Sequence, residues 1–175
     1  MLASPEYIIK QFELPPHAHI ADIGAGTGHY VRALARDLIK DGGKLFAIDV
    51  QKELLETLKA DAEKEGFDDI HTIWGNVEKK HGTHLRDESI DGVVLANTLF
   101  QIEDKDAALR EIARILKPGG HLYIVEWSDS FNGMGPHKDD IILSDQVRSL
   151  CSQHDLVYQK YIDAGEHHYG LIFHK

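Results

Sequence analysis

The sequence has a single cysteine and no long hydrophobic run. Cys151 alone excludes an internal disulfide framework and a zinc site built from several thiolates, and it favours a reducing compartment. The N-terminal apolar residues are interrupted by Glu6, Lys10 and Glu13, so they predict neither a signal peptide nor a membrane span. We therefore expect a cytoplasmic protein.

Basic residues are also scarce, and no run of them stands out. Nineteen Lys and Arg stand against 29 Asp and Glu, which gives a formal net charge of -10. Because affinity for a phosphate backbone comes mainly from clustered Lys and Arg, the composition argues against a nucleic-acid substrate, although a local basic patch stays possible. The 175 residues predict one domain spanning residues 1–175, with a proper hydrophobic core.

Apolar segments rich in β-branched residues alternate with segments of helical period along the whole chain. This alternation predicts a parallel sheet covered by helices on both faces. The last two predicted strands are joined through Asp163–Glu166, a connection short enough for an antiparallel hairpin. The predicted strands, about seven in number, are Ile20–Ile23, Lys44–Val50, Ile70–Trp74, Gly92–Ala96, His121–Glu126, Leu156–Ile162 and Tyr169–His174.

The predicted helices bury one apolar stripe each. The third ends in Lys117-Pro118-Gly119-Gly120, because proline cannot continue a helix and glycine tolerates a left-handed cap. A further short helix is predicted near Ser144–Cys151. The three stripes are Val31, Leu34, Ala35 and Leu38; Leu54, Leu55, Leu58 and Ala62; and Ala108, Ile112, Ile115 and Leu116.

A glycine-rich turn joins the first predicted strand to the first predicted helix. Alternating glycines allow both a tight turn and the close approach of a ligand, which would rest on the free N–H groups of the helix N-terminus. Three glycines are more than a bare turn needs. The turn therefore predicts a ligand site that contains Asp22, Gly24, Ala25, Gly26, Thr27 and Gly28.

Two classes of adenosine-containing cofactor compete for this turn. Dinucleotide sites usually have the pattern Gly-x-Gly-x-x-Gly, whereas the third glycine here, Gly28, comes one residue early. Asp49 lies at the carboxyl edge of the second predicted strand, where a carboxylate can accept hydrogen bonds from both ribose hydroxyls. Both cofactor classes use that device, and a solvated loop acid is the plainer alternative for Asp49.

With Asp22 ahead of Gly24, Gly26 and Gly28, the chain resembles the class I S-adenosylmethionine-dependent methyltransferases, whose first motif is an acidic residue followed by Gly-x-Gly-x-Gly. The resemblance covers nearly the whole chain from about Ile20 onward. It implies a Rossmann-like, doubly wound α/β fold, with a seven-stranded, mostly parallel sheet whose last strand is antiparallel. It also implies S-adenosylmethionine as the cofactor and S-adenosylhomocysteine as its product.

The resemblance implies roles for further residues. Asp49 and Val50 fall at the ribose, and the side-chain oxygen of Asn76 falls at the adenine amino group, where the family more often has Asp. The backbone N–H of Val77 falls at the adenine ring, and the backbone near Asn97 falls at the methionine end of the cofactor.

The acceptor is expected to be a small molecule. The chain lacks the Asn-Pro-Pro-aromatic loop and the Pro-Cys nucleophile of nucleic-acid enzymes, and Cys151 cannot supply the several thiols of arsenite methyltransferases. What remains resembles the small-metabolite and quinone-type group. In such folds the N-terminal helix, the loop after the fifth strand and the final hairpin set acceptor specificity.

That loop here includes Trp127–His137, whose aromatic residues, Met and glycines suit either a lid or a plain surface loop. His137 is the first candidate for a general base, with a solvated surface histidine as the alternative. His167, His168 and Tyr169 on the final hairpin are further candidates.

Other readings of the sequence stay open at this point. A nicotinamide-dependent oxidoreductase shares Asp49 but fits the glycine spacing badly. A non-catalytic nucleotide-binding module would keep the fold without the activity. No metal is expected, because neither His81 and His84 nor His167 and His168 have accompanying ligands at site-like spacing. The sequence predicts no particular acceptor, methylated atom or oligomeric state.

Overall fold

A computed structural model describes residues 3–38, 42–67, 69–131 and 133–175. In these ranges the strands are β1 His19–Ile23, β2 Lys44–Asp49, β3 Ile70–Trp74, β4 Ile90–Ala96, β5 Leu116–Trp127, β6 Val157–Ile162 and β7 His168–His174. The α-helices are α1 Pro5–Ile9, α2 His29–Leu38, α3 Lys52–Lys64, α4 Lys105–Ile115 and α5 Ser144–Ser152. Short 3-10 turns occupy Leu99–Gln101 and Lys138–Asp140. No described helix is long and apolar enough to cross a membrane.

The strands form one sheet in the order β3-β2-β1-β4-β5-β7-β6. The strands β1 to β5 run parallel to one another, whereas β7 is antiparallel to both β5 and β6. The predicted fold class, including the reversed last strand, is confirmed. Because β1 has β2 on one side and β4 on the other, the order of winding reverses at β1, and a crevice opens at the carboxyl ends of these strands.

Each face of the sheet is covered by its own helices. Alternate strand residues such as Ile20, Leu45 and Val94 pack with apolar residues of α1, α2 and α3. The residues between them, such as Ala21 and Ile48, pack with α4 and α5 on the other face. This period-two division leaves the strand ends and the turns that follow them free to carry polar groups.

The end of α4 differs from its prediction. The segment Lys117–Gly120, expected as a helix end followed by a strand from His121, belongs to β5, which begins at Leu116. It bulges out between two pairs of β4 and β5 residues, Ile90 with Leu116 and Gly92 with His121. The Gly119 N–H donates to the Lys175 carbonyl at 2.8 Å, and the Lys175 N–H donates to the Gly120 carbonyl at 2.9 Å. These long-range bonds make the segment part of the sheet, which local sequence could not indicate.

Candidate active site

The glycine-rich turn lies at the carboxyl end of β1 and requires glycine for two reasons. Gly24, Gly26 and Gly28 have φ angles of +71°, +53° and +82°, in the left-handed region that favours glycine. A Cβ atom on Gly24 would lie 2.4 Å from the Thr98 Oγ1, and one on Gly28 would lie 2.7 Å from the Leu58 Cγ. The turn is therefore packed closely against α3 and against the segment that follows β4.

Asp49 ties this turn to the end of β2. Its Oδ2 accepts the Gly26 N–H at 2.9 Å, and its Oδ1 accepts the Gln51 N–H at 2.8 Å. The side chain is buried yet lines a cavity. A carboxylate oxygen has room for more than one donor, so Asp49 keeps acceptor capacity for hydroxyl groups of a ligand.

That cavity, here called the adenosine-side cavity, measures about 260 Å³. Its walls come from the ends of β1, β2 and β3 and from the segment after β4. The Asn76 Oδ1 accepts the Glu78 N–H at 2.8 Å, and the exposed Trp74 donates its indole N–H to the Val50 carbonyl at 3.0 Å. The lining residues are Ile23, Gly24, Gly26, Ile48, Asp49, Val50, Gln51, Leu54, Gly75, Asn76, Val77, Glu78, Asn97, Thr98, Gln101 and Ile102.

A second cavity, here called the acceptor-side cavity, measures about 410 Å³ and lies on the other side of the glycine turn. It shares Gly24, Gly26 and Asn97 with the adenosine-side cavity. Its remaining walls come from the N-terminal segment, the end of β1, the glycine turn, α2, the ends of β4 and β5, and the β6–β7 hairpin. These residues are Ala3, Pro5, Ile8, Asp22, Ala25, Thr27, His29, Tyr30, Ala96, Val125, Trp127, Ala164 and His168.

Asn97 stands where the two cavities meet, and its side-chain oxygen lacks a partner. The backbone has a φ angle of +53° and is held by the Asn97 N–H, which donates to the Val125 carbonyl at 2.8 Å. The Asn97 carbonyl accepts the Gln101 side-chain amide at 2.9 Å. The Asn97 Oδ1 is buried without a hydrogen-bond partner among the described residues. A buried acceptor is costly unless something donates to it, so this atom suits a polar ligand group.

Two buried carboxyl groups lie close to this junction. Burial, together with the neighbouring Asp49, raises the pKa of Asp22 to about 8. Burial also raises the pKa of Glu126 to about 7, although its Oε1 accepts the Leu99 N–H at 2.6 Å. Burial and these two carboxyl groups raise the pKa of Tyr30. A cationic ligand group would favour the ionised form of such carboxyl groups, because an opposite charge offsets the cost of burial.

Most residues predicted from the sequence line the cavities. Asp49, Val50, Asn76 and Val77 line the adenosine-side cavity, Asp22, Ala25 and Thr27 line the acceptor-side cavity, and Gly24, Gly26 and Asn97 line both. Gly28 lies beneath the turn against Leu58.

His137 lies away from both cavities. Its side chain is 75% exposed and its Nδ1 lies 3.4 Å from the carboxylate of Asp139, and it lines neither cavity. The geometry therefore gives no support to His137 as a general base, whereas His168 of the final hairpin does line the acceptor-side cavity. Among the residues that the structure describes, no three His, Cys, Asp or Glu side chains gather as metal ligands.

Sequence reasoning missed Tyr30, Glu126 and the contribution of individual residues of α1. Tyr30 lies two residues after Gly28 in the first turn of α2, and this closeness to the glycine turn was a usable signal. Glu126 is a charged residue near the end of an otherwise apolar strand, which is also a signal. The residues of α1 reach the cavity only through tertiary packing.

Comparison with known proteins, by sequence and by structure, finds methyltransferases. A methyltransferase domain family model matches residues 21–124. The chain is 34% identical over 116 residues to the ubiquinone/menaquinone biosynthesis C-methyltransferase UbiE of Hahella chejuensis, a match that covers 66% of this chain and 45% of that protein. It is 35% identical over 109 residues to the arsenite methyltransferase of Aquipseudomonas alcaligenes, covering 59% of this chain and 31% of that protein.

A crystal structure of an S-adenosylmethionine-dependent methyltransferase from Aquifex aeolicus superposes with a TM-score of 0.88. The two chains are 24% identical, and the match covers 99% of this chain and 90% of that one. By contrast, this chain spans less than half the length of the two curated relatives described above.

The chain belongs to the methyltransferase domain family and is of the class I, S-adenosylmethionine-dependent type. The family that the sequence resembles and the predicted cofactor, S-adenosylmethionine, are confirmed. The oxidoreductase reading, already disfavoured by the early third glycine, is thereby set aside.

Proposed function

We propose that the chain transfers a methyl group from S-adenosylmethionine to a small-molecule acceptor bound in the acceptor-side cavity. The observation that carries the proposal is the meeting of two cavities at Gly24, Gly26 and Asn97. When bound, S-adenosylmethionine supplies an electrophilic methyl group attached to a sulfonium. An acceptor can attack that methyl carbon in line with the bond to sulfur, and the sulfur leaves. Much of the barrier to such a reaction can be lowered by positioning, and rigid turns at the junction suit that task.

The residues present fit the cofactor on both sides of the junction. Asp49 offers carboxylate oxygens to ribose hydroxyls, while Asn76 and the Val77 N–H are the groups expected to meet the adenine. The unpartnered Oδ1 of Asn97 and the carboxyl group of Asp22 suit the positively charged ammonium of the methionine end.

The size and charge of the acceptor-side cavity favour a small acceptor. Its volume of about 410 Å³ falls in the range of small-molecule pockets. The net charge of -10 disfavours a nucleic acid. The names of the two curated relatives, a quinone-biosynthesis enzyme and an arsenite enzyme, point to small acceptors for those proteins. The cytoplasmic location and the single domain over residues 1–175 stay predictions.

Ligand-induced stabilisation tests the proposed cofactor. S-adenosylhomocysteine should raise the melting temperature, by an amount equivalent to about 2.7 kcal/mol at 100 times its Kd, whereas NAD should not. Asp49→Asn should raise the Kd for S-adenosylhomocysteine at least about tenfold, because an amide has one acceptor oxygen where the carboxylate has two. Asp69→Asn, at an exposed position, is the matched control.

Stabilisation by NAD alone would overturn the proposal. Incorporation of label from methyl-labelled S-adenosylmethionine into a metabolite extract then tests catalysis. Binding without any incorporation would favour a non-catalytic module.

A further inference from the structure

We propose that His168 is the general base of the acceptor-side cavity and that the acceptor is a neutral aromatic molecule with an acidic hydroxyl group. This inference rests on the proposed function of the two cavities. It assigns the proton-removing role to a different histidine from the one that the loop sequence suggested.

The position of His168 suits this role. It is the first residue of β7, and its ring packs on the indole of Trp127 with a centroid distance of 4.1 Å and an angle of 39°. The ring is partly buried, lines the cavity, and makes no hydrogen bond or ion pair to other described residues. Its nitrogens are therefore available to a ligand.

The neighbouring His167 shows the contrast. Its Nδ1 lies 2.6 Å from the Asp129 Oδ1, and its ring stacks on Phe131 with a centroid distance of 4.2 Å. His167 precedes β7 and has a φ angle of +68°, and its ring contacts the loop after β5, whereas His168 begins β7 and lines the cavity. Only one of the two consecutive histidines is in place to meet an acceptor.

The walls of the cavity define the class of acceptor. Trp127 and Tyr30 supply aromatic surfaces, and Pro5 and Ile8 supply apolar ones. Among the described residues that line it, none is Lys or Arg, so no lining side chain with a permanent positive charge would pair with an anionic acceptor. A neutral ring stacked near Trp127 can bring a hydroxyl group within reach of His168.

An aromatic hydroxyl group has an ordinary pKa of about 10 and is a weak nucleophile until it loses its proton. As the acceptor O–H bond breaks, the proton passes to a ring nitrogen of His168. The acceptor oxygen forms a bond to the methyl carbon while the bond from that carbon to the sulfonium breaks, leaving its electron pair on sulfur. The imidazolium of His168 then gives its proton to water, and the charges balance.

The surroundings keep His168 in the form that accepts a proton. Burial lowers its pKa and His167 adds to the effect, whereas Asp129 opposes it. Asp22, His29 and Tyr30 are the other titratable groups that line the cavity. Since the pKa lies below the ordinary value of 6.5, the neutral imidazole predominates at neutral pH.

The test compares His168→Asn with His137→Asn, which alters an exposed histidine outside both cavities. The probes are p-cresol and 2-naphthol as neutral acceptors and 4-hydroxybenzoate as an anionic one. We expect both neutral probes to bind the protein loaded with S-adenosylhomocysteine and to shift the ring NMR signals of His168, and the anionic probe to bind at least about tenfold more weakly.

Labelled methyl transfer to 2-naphthol should fall by about 100-fold or more in His168→Asn, the usual scale of general-base catalysis, while Kd for S-adenosylhomocysteine stays unchanged. The fall in rate at acidic pH should also disappear in this variant. His137→Asn should keep both the rate and the pH profile.

Failure of the neutral probes to bind a protein that does bind S-adenosylhomocysteine would overturn the inference, as would a His168→Asn variant that keeps the acidic limb of the profile. Failure of S-adenosylhomocysteine to bind would instead overturn the proposed function itself.

Discussion

At the scale of single residues, the candidate site differs from the scaffold in how its buried carboxyl groups are paired. Glu111 is a buried carboxylate in the scaffold: burial raises its pKa, but Arg114 and Thr83 outweigh this and bring it to about 2. Asp22 is also buried, forms no ion pair with a Lys or Arg among the described residues, and has its pKa raised to about 8. Asp22 can therefore gain from a cationic ligand group in a way that Glu111, already paired with Arg114, cannot.

Gly24 allows a residue-scale prediction with a close control. Gly24→Ala must adopt a φ angle of +71° and also place its Cβ 2.4 Å from the Thr98 Oγ1. Gly66 has a φ angle of +83° but open space around the added Cβ. Both variants should lose about 1–2 kcal/mol of unfolding free energy through backbone strain. Gly24→Ala should lose more and should weaken S-adenosylhomocysteine binding, whereas Gly66→Ala should not.

Urea unfolding and calorimetric titration measure both quantities. Equal losses of stability in the two variants, with binding intact in both, would show that the contact between Gly24 and Thr98 is unimportant.

At the scale of elements, the short turn after β4 is held from β5. The Glu126 carboxylate accepts N–H groups from this turn, including that of Leu99 at 2.6 Å. The turn carries Thr98 and Gln101, which line the adenosine-side cavity, and it follows Asn97 directly. One buried carboxyl group therefore positions the segment on which both cavities depend.

The raised pKa of Glu126 gives a pH prediction. Its ordinary pKa is 4.5 and its pKa in the folded protein is about 7, so the folded state binds the proton more tightly than the unfolded state. Protonated Glu126 therefore makes its full contribution to the free energy of unfolding below pH 4.5, and this contribution is lost as the pH rises through about 7. Relative to Glu126→Gln, which does not titrate, the native chain should lose up to ~3 kcal/mol across this window.

Urea unfolding of the native chain and of Glu126→Gln, at about pH 5 and about pH 8.5, measures this difference. Parallel pH dependences of the two proteins would contradict it.

The sequence was informative where an element is determined locally. The strands, the glycine turn and the reversed hairpin follow from short-range patterns, and so do Asp49 at a strand end and Asn76 after the next strand. The bulge at Lys117–Gly120 depends on a distant partner, Lys175, and could not be found in this way. The place of His137 also depends on the path of a whole loop, whereas His168 is placed by its register opposite Trp127.

At the scale of the whole molecule, one edge of the sheet gathers segments that are far apart in the chain. Residues 24–28, 49–51, 75–77 and 97–101 lie at or after the ends of β1, β2, β3 and β4, and each segment contains residues that line a cavity. A single ligand across the junction would touch all four. The N-terminal helix α1 touches only the acceptor-side cavity.

Hydrogen exchange tests this arrangement. S-adenosylhomocysteine should slow amide exchange in all four segments at once and leave α1 unchanged, because local opening must break the ligand contacts. Addition of 2-naphthol should then extend the protection to α1. Protection confined to one segment would show that the ligand does not bridge the two cavities.

The two tryptophans of the chain give each cavity its own fluorophore. Trp74 is 66% exposed and hydrogen-bonds to Val50, which lines the adenosine-side cavity. Trp127 lies in the wall of the acceptor-side cavity against His168. Trp74→Phe and Trp127→Phe would each leave one emitter, so the arrival of the cofactor and of the acceptor could be timed separately by stopped-flow fluorescence in an unlabelled protein.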